Sequence, residues 1–133
     1  MDKIEFRVLD FWDMSSQRLG GTFDIVLNLG ILYHLTDPLK ALQLTKSMAR
    51  QYILLDTHVY PSKESVIKLL WEEPTDIRTA VTSGIVVHPS KSSIDLILRH
   101  ICVAKWFEIP LRSSDMPADY LDNIRASWLI EVA

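Results

Sequence analysis

The sequence predicts an α/β fold in which a mostly parallel sheet carries helices on both faces and finishes with an antiparallel strand pair. Three observations predict it. Ile25, Val26 and Leu27 form a continuous apolar, largely β-branched run, and Tyr52 to Leu55 (YILL) forms a second, the pattern of strands covered on both faces. Between them, Leu39 to Arg50 puts Leu39, Leu42, Thr45 and Ala49 on one helical stripe, with Lys46 and Arg50 near the end where the helix dipole favours cations. A strand, helix, strand unit of this kind is a right-handed crossover between parallel neighbours. Finally, Val103 to Ile109 and Ser127 to Val132 (SWLIEV) are joined by a polar loop with Asp115, Pro117 and Asp119, and strands joined without a helical crossover are antiparallel.

Taken in order, Ile4 to Leu9 (IEFRVL) alternates apolar and polar residues and is predicted to be a strand running into an acidic, aromatic loop at Asp10, Trp12 and Asp13. Gln17 to Thr22 (QRLGGT) holds the Gly-Gly pair and is predicted to be a linker loop, since it precedes a strand and opens no phosphate cradle. The strand Phe23 to Leu29 follows, and Asp37-Pro38 supplies the next helix with an N-cap carboxylate and a preset first position. Pro61 to Pro89 is ambiguous, because Glu64 to Trp71 fits a short helix or an extended lid strand. Pro89-Ser90 opens a helix in which Ile94, Ile97, Leu98 and Ile101 recur at helical spacing and Ser92 to Asp95 has the spacing of a capping box. The sum is a central sheet of about five strands, three of them parallel-type.

Length and composition fit one domain over residues 1–133, with 48% hydrophobic and 23% charged residues. A formal charge of -3 argues against a nucleic-acid-binding surface spread over the whole domain, while leaving room for a small RNA-contacting patch. Cys102 has no partner for an internal disulfide and falls in a helical pattern as a small apolar residue, no apolar run approaches a membrane span, and MDKIEFR lacks a signal-peptide core. The expectation is a cytoplasmic protein with no membrane association.

The stretch Phe23 to Pro38, FDIVLNLGILYHLTDP, resembles the fourth strand and following loop of class I S-adenosylmethionine-dependent methyltransferases, especially the branch whose strand ends in "lgvLYHL.dP". The resemblance extends across the chain but onto the second half of that family's domain; the glycine-rich turn after the family's first strand has no counterpart, and no G-x-G occurs. It implies a Rossmann-like methyltransferase sheet, truncated, with S-adenosylmethionine as cofactor. It also implies roles for particular residues. Asp10 would accept from the adenine amino group and the backbone of Phe11 would address the ring. Asn28, Leu29 and Gly30 would line the donor pocket at the strand's carboxyl end, where open α/β sheets bind ligands. Tyr33 would cap the methyl-acceptor pocket and His34 would be the base. The segment after the second apolar run would cover the substrate, bringing Glu72, Glu73, Asp76, Arg78 or His88 near it.

The residues also admit simpler roles. Asp10 and Asp13 can be turn formers, Phe11 and Trp12 core aromatics, Gly30 a tight turn and His34 a loop-fixing hydrogen-bond donor. His34, His58, His88 and His100 show no close ligand spacing, so no metal is expected. Two functions follow: methyl transfer to a small molecule or a tRNA base, or a non-catalytic relative that serves as a binding or assembly module. In the family's strand order, Phe23 to Leu29 becomes an edge here, apolar on both faces and without Lys or Pro to block pairing. A homodimer that covers this edge, directly or with an exchanged N-terminal strand, is therefore expected.

Overall fold

The computed structural model describes residues 4–73, 75, 84–110 and 113–133. The strands are β1 (Phe23–Leu29), β2 (Ala49–His58), β3 (Ile67–Trp71), β4 (Ile85–Pro89), β5 (Lys105–Glu108) and β6 (Arg125–Glu131). The helices are α1 (Ser16–Leu19), α2 (Pro38–Met48), α3 (Lys91–His100) and α4 (Ala118–Leu121), with 3-10 turns at Phe11–Asp13 and Leu32–His34.

β1, β2, β6 and β5 form a mixed sheet in that order, and β3 pairs with β4 in a separate hairpin. β1 runs parallel to β2, whereas β6 is antiparallel to both β2 and β5. Three strands thus point one way, with β6 inserted against them. The right-handed crossover is present: Asp37 caps α2 by accepting from the Lys40 amide at 2.9 Å, Pro38 opens it, and the chain returns as β2. β2 is longer than its apolar run because β1 and β6 pair with it on both sides, carrying it past Leu55 to His58.

Helices stand on both faces, but unequally. α2 and α3 cover one face, where Leu42, Ile94 and Leu98 pack on Ile53, Leu55, Trp128 and Ile130. Asn28 of β1 points the same way and donates from Nδ2 to Thr45 Oγ1 of α2 at 3.0 Å. By strand alternation the other face carries Ile25, Leu27 and Leu29, then Tyr52 and Leu54, then Leu129 and Phe107. The four-residue α4 reaches it through Tyr120, and Ile25, Leu27 and Phe107 remain exposed.

Several expectations are corrected. Ile4 to Leu9 forms no strand: Ile4, Phe6 and Val8 stand out in solvent, and among the described residues nothing pairs with them. Alternation reports that a segment has two unlike faces, but a strand also needs a neighbour to share a ladder. The main sheet accordingly has four strands, not five. QRLGGT is not wholly loop, since Ser15 caps α1 by accepting from the Arg18 amide and Gly20 ends it at φ +82°. The ambiguous Glu64 to Trp71 is extended from Ile67 onward, as β3 of the hairpin. Asp76 and Arg78 lie outside the described residues. Cys102 is exposed just past α3 at φ +57°, not an apolar member of the helix.

The cap of α3 also differs from expectation. Ser90, not Ser92, is the N-cap, and its buried Oγ accepts from the amides of Ser93 and Val66 while donating to the Glu64 carbonyl. Asp95 is drawn off to accept from Trp106 Nε1 at 2.7 Å. Ser90→Ala strands the buried Ser93 amide, the half-buried Val66 amide and the Glu64 carbonyl, so it should lower stability by about 1–3 kcal/mol, whereas Ser92→Ala should cost under about 0.5 kcal/mol. Urea denaturation of the two variants measures the difference, and equal losses would remove Ser90 from this role.

Candidate functional site

The carboxyl ends of β1 and β2 and the start of β6 come together at one end of the sheet, and the polar residues of the fold collect there. Asp56, buried near the end of β2, is the centre. It accepts from Arg125 Nε at 2.7 Å, from Tyr120 Oη at 2.6 Å and from Ser127 Oγ at 2.6 Å. Burial works against its charge, but the hydrogen bonds from Ser127, Tyr120 and Arg125 outweigh it and hold the carboxyl below its ordinary range. The Asp56 carbonyl also accepts from the Gly30 amide at 2.9 Å, so the turn after β1 is tied to the same residue. Gly30 lies at φ +68°, and Arg125 Nη2 stands 3.2 Å from where a Cβ would be; both the backbone and the neighbour call for glycine.

Two residues past Asp56 on the same face is His58, whose ring stacks on His88 of β4 at a centroid distance of 5.2 Å. Tyr33 packs against His34 at 4.0 Å, His58 at 4.6 Å and His88 at 6.0 Å. The cluster thus joins the turn after β1, the end of β2 and the hairpin. His34 Nδ1 lies 3.8 Å from Glu72, and His58 Nε2 lies 3.8 Å from Asp119, too far for hydrogen bonds in both cases. His34 Nδ1 and Glu72 Oε2 are buried atoms without a hydrogen-bond partner. Burial is the leading cause that lowers the pKa of all three imidazoles; Arg125 adds to it at His58, and the neighbouring histidines add to it at His88. Burial likewise raises the Tyr33 phenol. The rings are therefore neutral near pH 7, each with a nitrogen able to accept a proton. Among the described residues, no group of His, Cys, Asp and Glu side chains could hold a metal ion.

A cavity of about 290 Å³ runs beside β1, lined by Phe11 and Asn28 together with Val26, Leu27, Ile31 and Thr45 among others. Two of the expected donor-pocket residues, Phe11 and Asn28, thus meet at one cavity, and Asn28 Oδ1 is buried there without a hydrogen-bond partner. Leu29 and Gly30 follow at the strand end but outside the lining, and Leu29 is exposed on the opposite face. Asp10 is outside it too: its Oδ1 accepts from the Trp12 amide at 2.8 Å and caps the turn Phe11–Asp13. Tyr33 and His34 stand together with His58 and His88. Sequence reasoning missed His58 as a site residue; its signal was its place at the end of an apolar strand, shared with Asp56.

No protein-family model matches the chain, and no curated protein matches it. Solved structures do, and what they share with this chain is the fold, an α/β arrangement around a mixed sheet of mostly like-directed strands. The chain is similar to the N-terminal domain of EvdMO1 with SAH bound, at TM-score 0.73 and 21% identity over 96% of this chain and 53% of that one. The same domain in the presence of SAH and D-fucose gives TM-score 0.75 and 21% identity over 97% and 55%, and EvdMO1 itself gives 0.60 and 18% over 96% and 25%. The chain spans about half the length of those N-terminal domains. Among the described residues no helix is long and apolar enough to cross a membrane.

The histidine cluster predicts a pH dependence. Because the folded pKa values lie below the unfolded value of about 6.5, the unfolded chain takes up protons first, and stability present above that pH is lost as pH falls below it. Unfolding free energy should therefore drop between about pH 7 and pH 5, before the carboxyl of Asp56 contributes its own loss below about pH 4. Paired His58→Gln and His88→Gln substitutions should flatten the upper window and leave the lower one. Denaturant titrations across pH test this, and an unchanged upper slope in the double variant would contradict it.

Proposed function

We propose that the chain is an S-adenosylmethionine-dependent methyltransferase-like protein that holds its donor at the carboxyl end of β1 and passes a methyl group to a small molecule or a tRNA base. The observation that carries this reading is that SAH is bound in a domain whose fold this chain shares over 96% of its length. The residues present fit such a donor in part. Asn28 offers a buried acceptor without a partner, Gly30 brings backbone close to the strand end, and Phe11 supplies an aromatic wall. Asp10 keeps a second carboxylate oxygen that makes no hydrogen bond among the described residues, and it could accept from an adenine amino group.

S-adenosylmethionine supplies an activated methyl group on a sulfonium centre, so no nucleophile is required of the protein. What this chain supplies is alignment and a proton acceptor. Tyr33 presents a ring face beside the strand end, and the neutral imidazoles of His34 and His58 can take the proton that an acceptor hydroxyl or amine gives up.

A second reading, a non-catalytic binding or assembly module, is favoured by a specific observation. Among the described residues no carboxylate lines the cavity beside β1, so it offers no paired acceptor of the kind that grips two ribose hydroxyls at once. Calorimetric titration with S-adenosylmethionine and S-adenosylhomocysteine decides between the two. Micromolar binding supports the first reading; no binding at millimolar ligand ends it for this chain alone. Within the first reading, Asp10→Ala should weaken binding by about 1–3 kcal/mol, the scale of a hydrogen bond to a charged group, while His34→Ala leaves it nearly unchanged. Equal losses in both would assign the effect to folding.

A further inference from the structure

We propose, resting on the S-adenosylmethionine reading above, that Thr45 is a positioning residue: it fixes the side-chain amide of Asn28 so that the cavity beside β1 presents a hydrogen-bond acceptor, which takes one N–H group of the cofactor. Asn28 and Thr45 are the polar side chains in a lining that is otherwise apolar. Both are buried, at 3% and 1% exposure. Among the described residues the side-chain hydrogen bond that Asn28 makes is donation from Nδ2 to Thr45 Oγ1 at 3.0 Å.

Thr45 settles which way round that amide sits. Its hydroxyl has a single proton, which goes to the Ala41 carbonyl one turn back along α2 at 2.9 Å. Oγ1 then has only lone pairs to offer the strand. Turning the Asn28 amide over would set Oδ1 against those lone pairs and strand Nδ2, so the hydroxyl keeps Nδ2 to itself and holds Oδ1 away. Oδ1 is accordingly the buried atom without a hydrogen-bond partner.

A buried acceptor left unpaired costs free energy until a ligand donates to it. This one is uncharged and single, and no carboxylate lines the cavity beside it among the described residues, so one N–H group fits it better than a pair of ribose hydroxyls. A ligand carboxylate brought to the same point would set acceptor against acceptor. S-adenosylmethionine and S-adenosylhomocysteine each carry two N–H groups of the required kind, the ammonium of the amino-acid end and the adenine amino group.

Calorimetric titration of the full chain tests this with S-adenosylhomocysteine, methylthioadenosine, which lacks the amino-acid end, and S-inosylhomocysteine, which has an oxo group in place of the adenine amino group. Thr45→Val keeps the side chain's shape and removes the hydroxyl, and it should weaken S-adenosylhomocysteine about tenfold, the scale of one buried hydrogen bond. One of the two analogues should bind Thr45→Val and wild type alike, and the group it lacks is the one that meets Asn28. Thr45→Ser, which keeps the hydroxyl, should restore the wild-type ligand preference. Undiminished binding by Thr45→Val, or an equal loss for every ligand, overturns the proposal and leaves the S-adenosylmethionine reading standing; a wild-type chain that binds none of the ligands at millimolar concentration ends both. Nuclear magnetic resonance of the wild type supplies a readout that does not depend on how the variants fold. Donation to Oδ1 polarises the amide, so the Asn28 side-chain N–H signals should move with S-adenosylhomocysteine and stay in place with the analogue that lacks the donating group. Signals that respond to all three ligands alike, or to none, overturn the proposal.

Discussion

The site end of this fold depends on one buried carboxylate. Asp56 sits where β2 stops being apolar, and it gathers Arg125 and Ser127 of β6 and Tyr120 of α4 around its two oxygens. An ion pair taken out of water rarely adds much net stability, because desolvation cancels the attraction, but a charge left unpaired there is costly. The pair therefore acts chiefly as a constraint on geometry. It fixes the start of β6 against the end of β2 and clamps α4 over a face of the sheet that otherwise has little cover. Through its carbonyl it also fixes the turn at Gly30.

The placement of the site follows from that constraint. Once Arg125 is drawn to Asp56, its guanidinium lies 3.2 Å from where a Cβ on Gly30 would be, and the left-handed φ of +68° at that residue adds its own preference for glycine. The chain then enters the turn Leu32–His34, which buries Leu32 in the core and leaves Tyr33 and His34 facing the strand ends. Alternation along β2 puts His58 on the same face as Asp56, and the hairpin brings His88 over it.

Local features and the pairings of successive strands were legible in the sequence, and side-chain contacts between residues far apart in it were not. Phe23–Leu29 and the opening of α2 at Asp37-Pro38 emerge as read, since apolar runs and caps are signalled within a few residues. Ser90 displaced Ser92 as a cap because its hydroxyl also serves β3's approach at Val66, a contact 24 residues away. Ile4 to Leu9 reads as a strand by alternation, yet nothing local says whether a neighbour exists. Arg125 lies 69 residues from Asp56, and no spacing rule marks them as partners. His88 was placed among substrate-facing candidates by resemblance, and its stacking on His58 depends on a hairpin that periodicity left undecided.

The electrostatics of the histidine cluster are a by-product of how the constraint is met. Asp56 gives its two oxygens to three donors, and its upward pull on the His58 pKa is smaller than that of Asp119. Glu72 and Asp119 stand 3.8 Å from His34 and His58, near enough to pull their pKa values upward but without hydrogen bonds that would fix a proton. Burial wins that contest at both rings, helped by His58 at His34 and by Arg125 at His58, and the rings stay neutral. A shorter Glu72–His34 contact would convert the same residues into an ion pair with no basicity to offer. The gap is thus what leaves His34 Nδ1 buried without a hydrogen-bond partner and its ring neutral beside the strand ends.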